Sequence, residues 1–236
     1  MLATAHRLFS DRSCWLSKSE RLNILRKAAE LIKERRHSLA VSAAREGGKP
    51  LVDSLVEIDR AADGIECCVE EIRASAGNVI PMQIDASSSS KVAFTQYEPI
   101  GVVAAVSAFN HPFNLIVHQV APAVATGCPV LVKPAAATPL SCQAFVEILK
   151  EAGLPEGWAQ MVLPAEINLA TEMVSDPRVA FFSFIGSSRV GWMLKSKLAP
   201  GTRCALEHGG VAPVIVSADA DLDDVVERIA KGGFYH

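Results

Sequence analysis

From Ile100 onward, short apolar runs alternate with segments of helical periodicity, and no other feature of the chain limits its possible folds so severely. The runs are Val102 to Val106, Val130 to Val132, Gln160 to Leu163, Val179 to Phe184, Arg203 to Leu206 and Val214 to Val216. Helical spacing covers about Asn114 to Ala125, Pro139 to Ala152, Ile167 to Ser175, Arg189 to Leu198 and Leu222 to Ile229. A strand packed by helices on both sides has no wet face, so it reads as a continuous apolar run rather than as an alternation. The pattern predicts an α/β fold built on a doubly wound, Rossmann-like parallel sheet.

The first hundred residues read differently. Between Ser19 and Arg36, Leu22, Ile24, Leu25, Ala28, Ala29, Leu31 and Ile32 recur at helical spacing with Lys and Arg opposite, an amphipathic helix. A second helix is predicted over Ser38 to Glu46, ended by Gly47-Gly48 and Pro50, and a third over about Leu51 to Arg73. Val79 to Ile84 and Val92 to Tyr97, joined by the Ser-rich tip Ser87 to Ser90, predict a protruding β-hairpin arm over Val79 to Glu98. One face of that arm would be bare on a monomer, which suggests packing on a partner subunit and so a homo-oligomer.

Composition narrows the function. Half of the 236 residues are hydrophobic, enough for a sizeable core, and a net charge of −3 offers no footprint for nucleic acid or a membrane surface. A small-molecule partner is the expectation. The opening residues MLATAHRLFSDRSCW lack an apolar signal core and no run of about 18 apolar residues occurs, so a cytoplasmic protein is expected. Cys14, Cys67, Cys68, Cys128, Cys142 and Cys204 form no CxxC pair or Cys/His cluster, which suggests neither disulfides nor a metal site.

Ligands of open α/β sheets sit beyond the carboxyl ends of the strands. Four strand exits carry unusual chemistry: Ser107-Ala108-Phe109-Asn110-His111-Pro112, Lys133-Pro134-Ala135, Gly186-Ser187-Ser188-Arg189-Val190-Gly191, and Glu207-His208-Gly209-Gly210. Gly186 to Gly191 is either a tight turn or a pyrophosphate cradle of backbone amides at a helix N-terminus, with the Ser187 hydroxyl as an added donor. Lys133 is either a solvated cation or a ligand contact, and Asn110 either a turn residue or a functional amide.

Together and in this order, the four segments resemble the aldehyde dehydrogenase superfamily. Its members carry Pro-(Trp/Phe)-Asn-x-Pro, Lys-Pro-x-Glu, Phe-x-Gly-Ser-x-x-x-Gly and Glu-Leu-Gly-Gly. The resemblance covers nearly the whole chain, including VAPAVATGCP at Val120 to Pro129, LPEG at Leu154 to Gly157 and the terminal Gly232-Gly233-Phe234. It implies oxidation of a small aldehyde to a carboxylic acid with NAD or NADP: a cysteine thiolate attacks, hydride passes to the nicotinamide, and water hydrolyses the thioester. Asn110 then matches the oxyanion-stabilising amide and Glu207 the general base for deacylation. Lys133 matches the adenosine-ribose contact, with Ala135 and Ala136 beside it; Gly186, Ser187 and Gly191 match the pyrophosphate turn. Ser107 and Phe109 match the nicotinamide end, with Gly209 in the last segment.

Two departures matter. Ala136 stands where NAD-preferring members carry a glutamate for the ribose hydroxyls, which removes a repulsion against a 2′-phosphate. His208 replaces the usual leucine; it tunes Glu207, touches the nicotinamide, or is a histidine hydrogen-bonded within the turn. The run FNHPFNL from Phe109 resembles that of members acting on lactaldehyde, glyceraldehyde 3-phosphate or succinic semialdehyde. The resemblance places the nucleophile in a Gly-Gln-x-Cys segment beyond residue 236. On that basis residues 1–236 are an incomplete NAD(P)-binding domain, truncated before its catalytic domain and inactive alone. The alternative is a non-catalytic dinucleotide-binding or subunit-association module.

Overall fold

The N-terminal region is helical from its first turn. In the computed structural model, which describes residues 1–235, α1 spans Leu2–Ser10 and is followed by a short 3-10 turn at Arg12–Cys14. Both lie outside the helices expected from periodicity. Then come α2 (Lys18–Glu34), α3 (Arg36–Gly47) and α4 (Leu51–Ala74). A capping box starts α2: Ser17 Oγ accepts from the Glu20 amide at 3.2 Å and Glu20 Oε2 from the Ser17 amide at 2.7 Å. Gly48 closes α3 in the left-handed region, φ 72°, where a side chain would be strained.

The arm is much shorter than expected. β1 (Val79–Ile80) pairs antiparallel with β2 (Ala93–Phe94), two residues each. Pro81 supplies no amide, Gln83 sits at φ 66°, and the tip is folded on Asp85, which accepts from Ser87 Oγ and the Ser88 amide. Val79, Val92, Phe94 and Tyr97 are all exposed.

The sheet follows: β3 (Val102–Val106), α5 (Asn114–Thr126), β4 (Val130–Lys133), α6 (Leu140–Glu151), β5 (Ala159–Met161), α7 (Ile167–Ser175), β6 (Val179–Gly186), α8 (Ser188–Lys195) and β7 (Arg203–His208), then α9 (Leu222–Phe234). All pairs are parallel, in the order β5-β4-β3-β6-β7. Alternate side chains of one strand serve opposite layers. Val103, Ala105, Val130 and Val132 join the core built with α2 to α6, whereas Val102, Ala104, Leu131 and Phe182 join the layer of α1, α7 and α8. That two-sided cover makes the fold doubly wound.

The expected strand at Val214 to Val216 does not form. Residues 209–216 are irregular and exposed, Ala212 has φ 40°, Pro213 lacks an amide, and no described strand pairs beyond β7. β7 itself alternates: Arg203, Ala205 and Glu207 face outward while Cys204, Leu206 and His208 face the core. No residue of α9 is buried. Among the described residues, no helix is long and apolar enough to cross a membrane.

Candidate functional site

The strand order turns back on itself between β3 and β6, since β3 leads to β4 on one side and β6 to β7 on the other. In such sheets the crevice at that reversal receives the ligand. Register puts the four chemistry-bearing exits side by side along this edge: Val106 pairs with Lys133 on one flank and Phe184 on the other, and Gly186 pairs with His208. The Ser107 amide donates to the Lys133 carbonyl at 3.0 Å and the Gly209 amide to the Gly186 carbonyl at 3.3 Å. Gln119 of α5, silent in the sequence, ties the centre: its Nε2 donates to the Val106 and Ser183 carbonyls, each at 3.2 Å.

What each exit presents differs. Ser107 is buried, with an Oγ that has no hydrogen-bond partner among the described residues. Phe109 is 63% exposed, and Asn110 and Glu207 are exposed beyond their strands. Lys133 is half-buried and donates to the Pro134 carbonyl at 3.0 Å; burial lowers its pKa, and it joins no ion pair among the described residues. Ala135 accepts from the Thr138 amide in the turn that follows, and Ala136 is exposed.

The helices that leave this edge are not equivalent. Each begins with amides lacking internal partners and a positive dipole end, so each is a potential anion site. At α5 that place is taken: buried Glu57 of α4 accepts from the Phe113 and Asn114 amides at 2.8 and 3.0 Å. At α6 it is also taken, because Glu46 of α3 accepts from the Leu140 and Ser141 amides at 2.8 and 2.9 Å and from the Ser141 hydroxyl. The start of α7 has no side-chain cap, but it follows edge strand β5 and has Glu166 as its first flanking residue. α8 follows its N-cap Ser187, which makes no side-chain cap, with Ser187, Ser188 and Arg189 exposed, right at the strand reversal. An anion entering the crevice meets open amides there.

The glycines of that turn are close-packed. A Cβ on Gly186 would stand 2.8 Å from Phe184 Cζ; one on Gly191 would stand 2.2 Å from His208 Nε2 and 2.8 Å from Phe184 Cε1. The hydrogen-bonded role expected for His208 is corrected here. Its ring lies edge-on to Phe184 (5.9 Å) and Trp192 (5.4 Å), and Nε2 is buried without a hydrogen-bond partner among the described residues. Aromatic contact, not a hydrogen bond, seats it.

The order of these segments on this sheet is that of a known family: the chain matches the aldehyde dehydrogenase family pattern over residues 2–236. The chain belongs to that family. It is 36% identical over 215 residues to a 3-sulfolactaldehyde dehydrogenase of Priestia aryabhattai, covering 91% of this chain and 45% of that one. With the NADP(+) succinate-semialdehyde dehydrogenase of Escherichia coli the identity is 38% over 220 residues, 93% of this chain and 45% of the other. The crystal structure of a glyceraldehyde-3-phosphate dehydrogenase from Methanocaldococcus jannaschii complexed with NADP superposes with a TM-score of 0.86 at 34% identity. That match takes in 99% of this chain and 50% of the other. The chain spans about half the length of these aldehyde dehydrogenases.

None of the six cysteines stands at a strand exit. Burial pushes the Cys142 thiol up to about 12 and Cys68 up to about 11, far from a reactive thiolate. Cys204 lies inside β7 on the face opposite Glu207. Sequence reasoning missed Glu46, Glu57 and Lys49 as well as Gln119. One signal was available: Glu57 falls in phase with Ser54, Ile58, Ala61, Ala62 and Ile65 on the buried stripe of α4.

Proposed function

We propose that this chain is the dinucleotide-binding portion of an enzyme that oxidises a small aldehyde to a carboxylic acid with NAD or NADP. One observation carries this: at the strand reversal α8 alone begins with open amides, while carboxylates close α5 and α6. A pyrophosphate fits there, on Gly186, Ser187 and the first amides of α8, with Gly191 packed beneath and Gly209 alongside. Lys133, half-buried and without an ion partner among the described residues, suits the adenosine ribose, with Ala135 and Ala136 lining that end. Ser107 and Phe109 suit the nicotinamide end, and the bound cofactor supplies the hydride acceptor.

Asn110 would donate its side-chain amide to the oxyanion, a contribution of about 3 kcal/mol for such donors, and Glu207 would take the proton of the attacking water. No carboxylate at Ala136 opposes a 2′-phosphate, which favours acceptance of NADP as well as NAD. The arm at Val79 to Glu98, with Phe94 and Tyr97 exposed, is proposed to pair subunits into a homo-oligomer. Six free thiols suit the reducing cytoplasm.

A Ser188→Glu variant tests the pyrophosphate site. Negative charge in the first turn of α8 should stabilise the helix, by about 0.3–1 kcal/mol, while repelling the ligand. Calorimetric titration with NADP and NAD should therefore show weaker binding to a protein that melts no lower. Unchanged affinity, or no binding of either dinucleotide by the unaltered chain, refutes the assignment. The position of the cysteines supports a second reading for the chain by itself, a binding or subunit-association module without turnover.

A further inference from the structure

Behind the Asn110 segment lies a buried charged cluster that the proposed chemistry does not use. Glu57 is fully buried on α4, and its Oε1 holds the Phe113 and Asn114 amides. Its Oε2 is 2.8 Å from Lys49 Nζ, itself buried, and Lys49 donates at 2.7 Å to Nδ1 of half-buried His111. His111 Nδ1 lies 3.8 Å from Glu57 Oε2. A buried carboxylate is costly unless its charge is neutralised and both oxygens are occupied. Here Lys49 and two amides meet that requirement, and both amides belong to the segment that carries Asn110.

We propose that Glu57 is a positioning residue for Asn110. It grips the chain at Phe113 and Asn114, on the far side of Pro112, and through Lys49 it docks His111, the residue next to Asn110. The corner Asn110–Pro112 is thus held at His111 and just beyond Pro112. An oxyanion donor is effective only when its direction is fixed before the reaction, and exposed Asn110 stands next to a residue, His111, that this cluster docks. The catalytic relevance rests on the role proposed above for Asn110; the mechanical claim does not.

The test uses the 236-residue chain without dinucleotide or aldehyde, so loss of the dinucleotide assignment and loss of this one are separable. Glu57→Gln keeps the shape but places an NH2 donor where one carboxylate oxygen now accepts, facing either Lys49 or the two amides. Backbone amide exchange at Phe113 and Asn114 should accelerate about tenfold or more, and 15N relaxation at Phe109 and Asn110 should show increased motion. Signals of Val103, Ala105 and Val130 should stay native, which separates local release from general destabilisation. Unchanged relaxation at Asn110 in a folded Glu57→Gln protein overturns the proposal and leaves Glu57 a helix cap only. If that variant does not fold, His111→Ala decides instead: it cuts the tie beside Asn110 and spares the buried pair. Increased motion at Asn110 then supports the proposal, and wild-type relaxation there overturns it.

Discussion

Gly191→Ala is the sharpest probe of how the α8 turn is built. The added methyl would sit 2.2 Å from His208 Nε2 and 2.8 Å from Phe184 Cε1, against an ordinary contact of about 3.5–4.0 Å. The imidazole would have to retreat by roughly 1.3 Å or more. It is boxed by Phe184 and Trp192, so retreat sacrifices two edge contacts and bends the end of β7 that carries Glu207. Overpacking of this kind costs about 1–3 kcal/mol, and at about 2–4 °C per kcal/mol for a chain of this size the melting temperature should fall by several degrees. The double variant with His208→Ala removes the nearer clash and leaves the one with Phe184. Chemical denaturation of the four proteins should then give a favourable coupling of at least about 1 kcal/mol. Additive losses, or a Gly191→Ala protein as stable as the parent, would show that His208 does not pack on Gly191.

Three further outcomes follow from the site. Ala136→Glu should shift dinucleotide preference toward NAD, because it restores a carboxylate beside the position of a 2′-phosphate; equal dissociation constants before and after assign specificity to another residue. Burial lowers the Lys133 pKa, so the cation proposed to assist binding is lost as pH rises, and at lower pH than for an ordinary lysine. Dinucleotide affinity should therefore fall through that alkaline range in the parent and be flat in Lys133→Met. The 236-residue chain should form no NAD(P)H from aldehydes, because no cysteine lies at a strand exit; activity abolished by Glu207→Gln would reveal a substitute nucleophile.

The centre of the sheet was legible because it is buried on both faces. Val102 to Val106 reads as continuous apolar sequence because α1 covers one side and α5 the other, and its predicted limits match β3. Where the same signal lacks a neighbour it misleads. Val214 to Val216 is as apolar as β4, yet among the described residues no strand pairs with it, and Ile215 is 92% exposed. The arm fails similarly: alternation suggested about six residues per strand, but an isolated ribbon interrupted by Pro81 and the turn at Gln83 pairs only two. At the site, motif order gave the strand exits, whereas Glu46 and Glu57 were hidden because a glutamate in a helix usually faces water. The phase of Glu57 on the buried stripe of α4 marks it as inward-facing, but nothing local says that it or Glu46 caps a helix encoded about 60 or 90 residues later.

Those two carboxylates also explain why the N-terminal helices belong with the sheet. Glu46 and Glu57 lie before residue 75, yet they close the helices that follow β4 and β3, just beyond the loops that carry Lys133 and Asn110. Without them, α5 and α6 would each present unpaired amides and a positive end beside the same crevice as α8. A dinucleotide diphosphate would then meet three competing anchors within one edge, and its register along the sheet would be poorly defined. Filling two from within the chain leaves one open at the strand reversal. On the proposed reading the helical layer would thus select the position of the anion without touching it, with groups whose removal would both weaken the fold and blur the site.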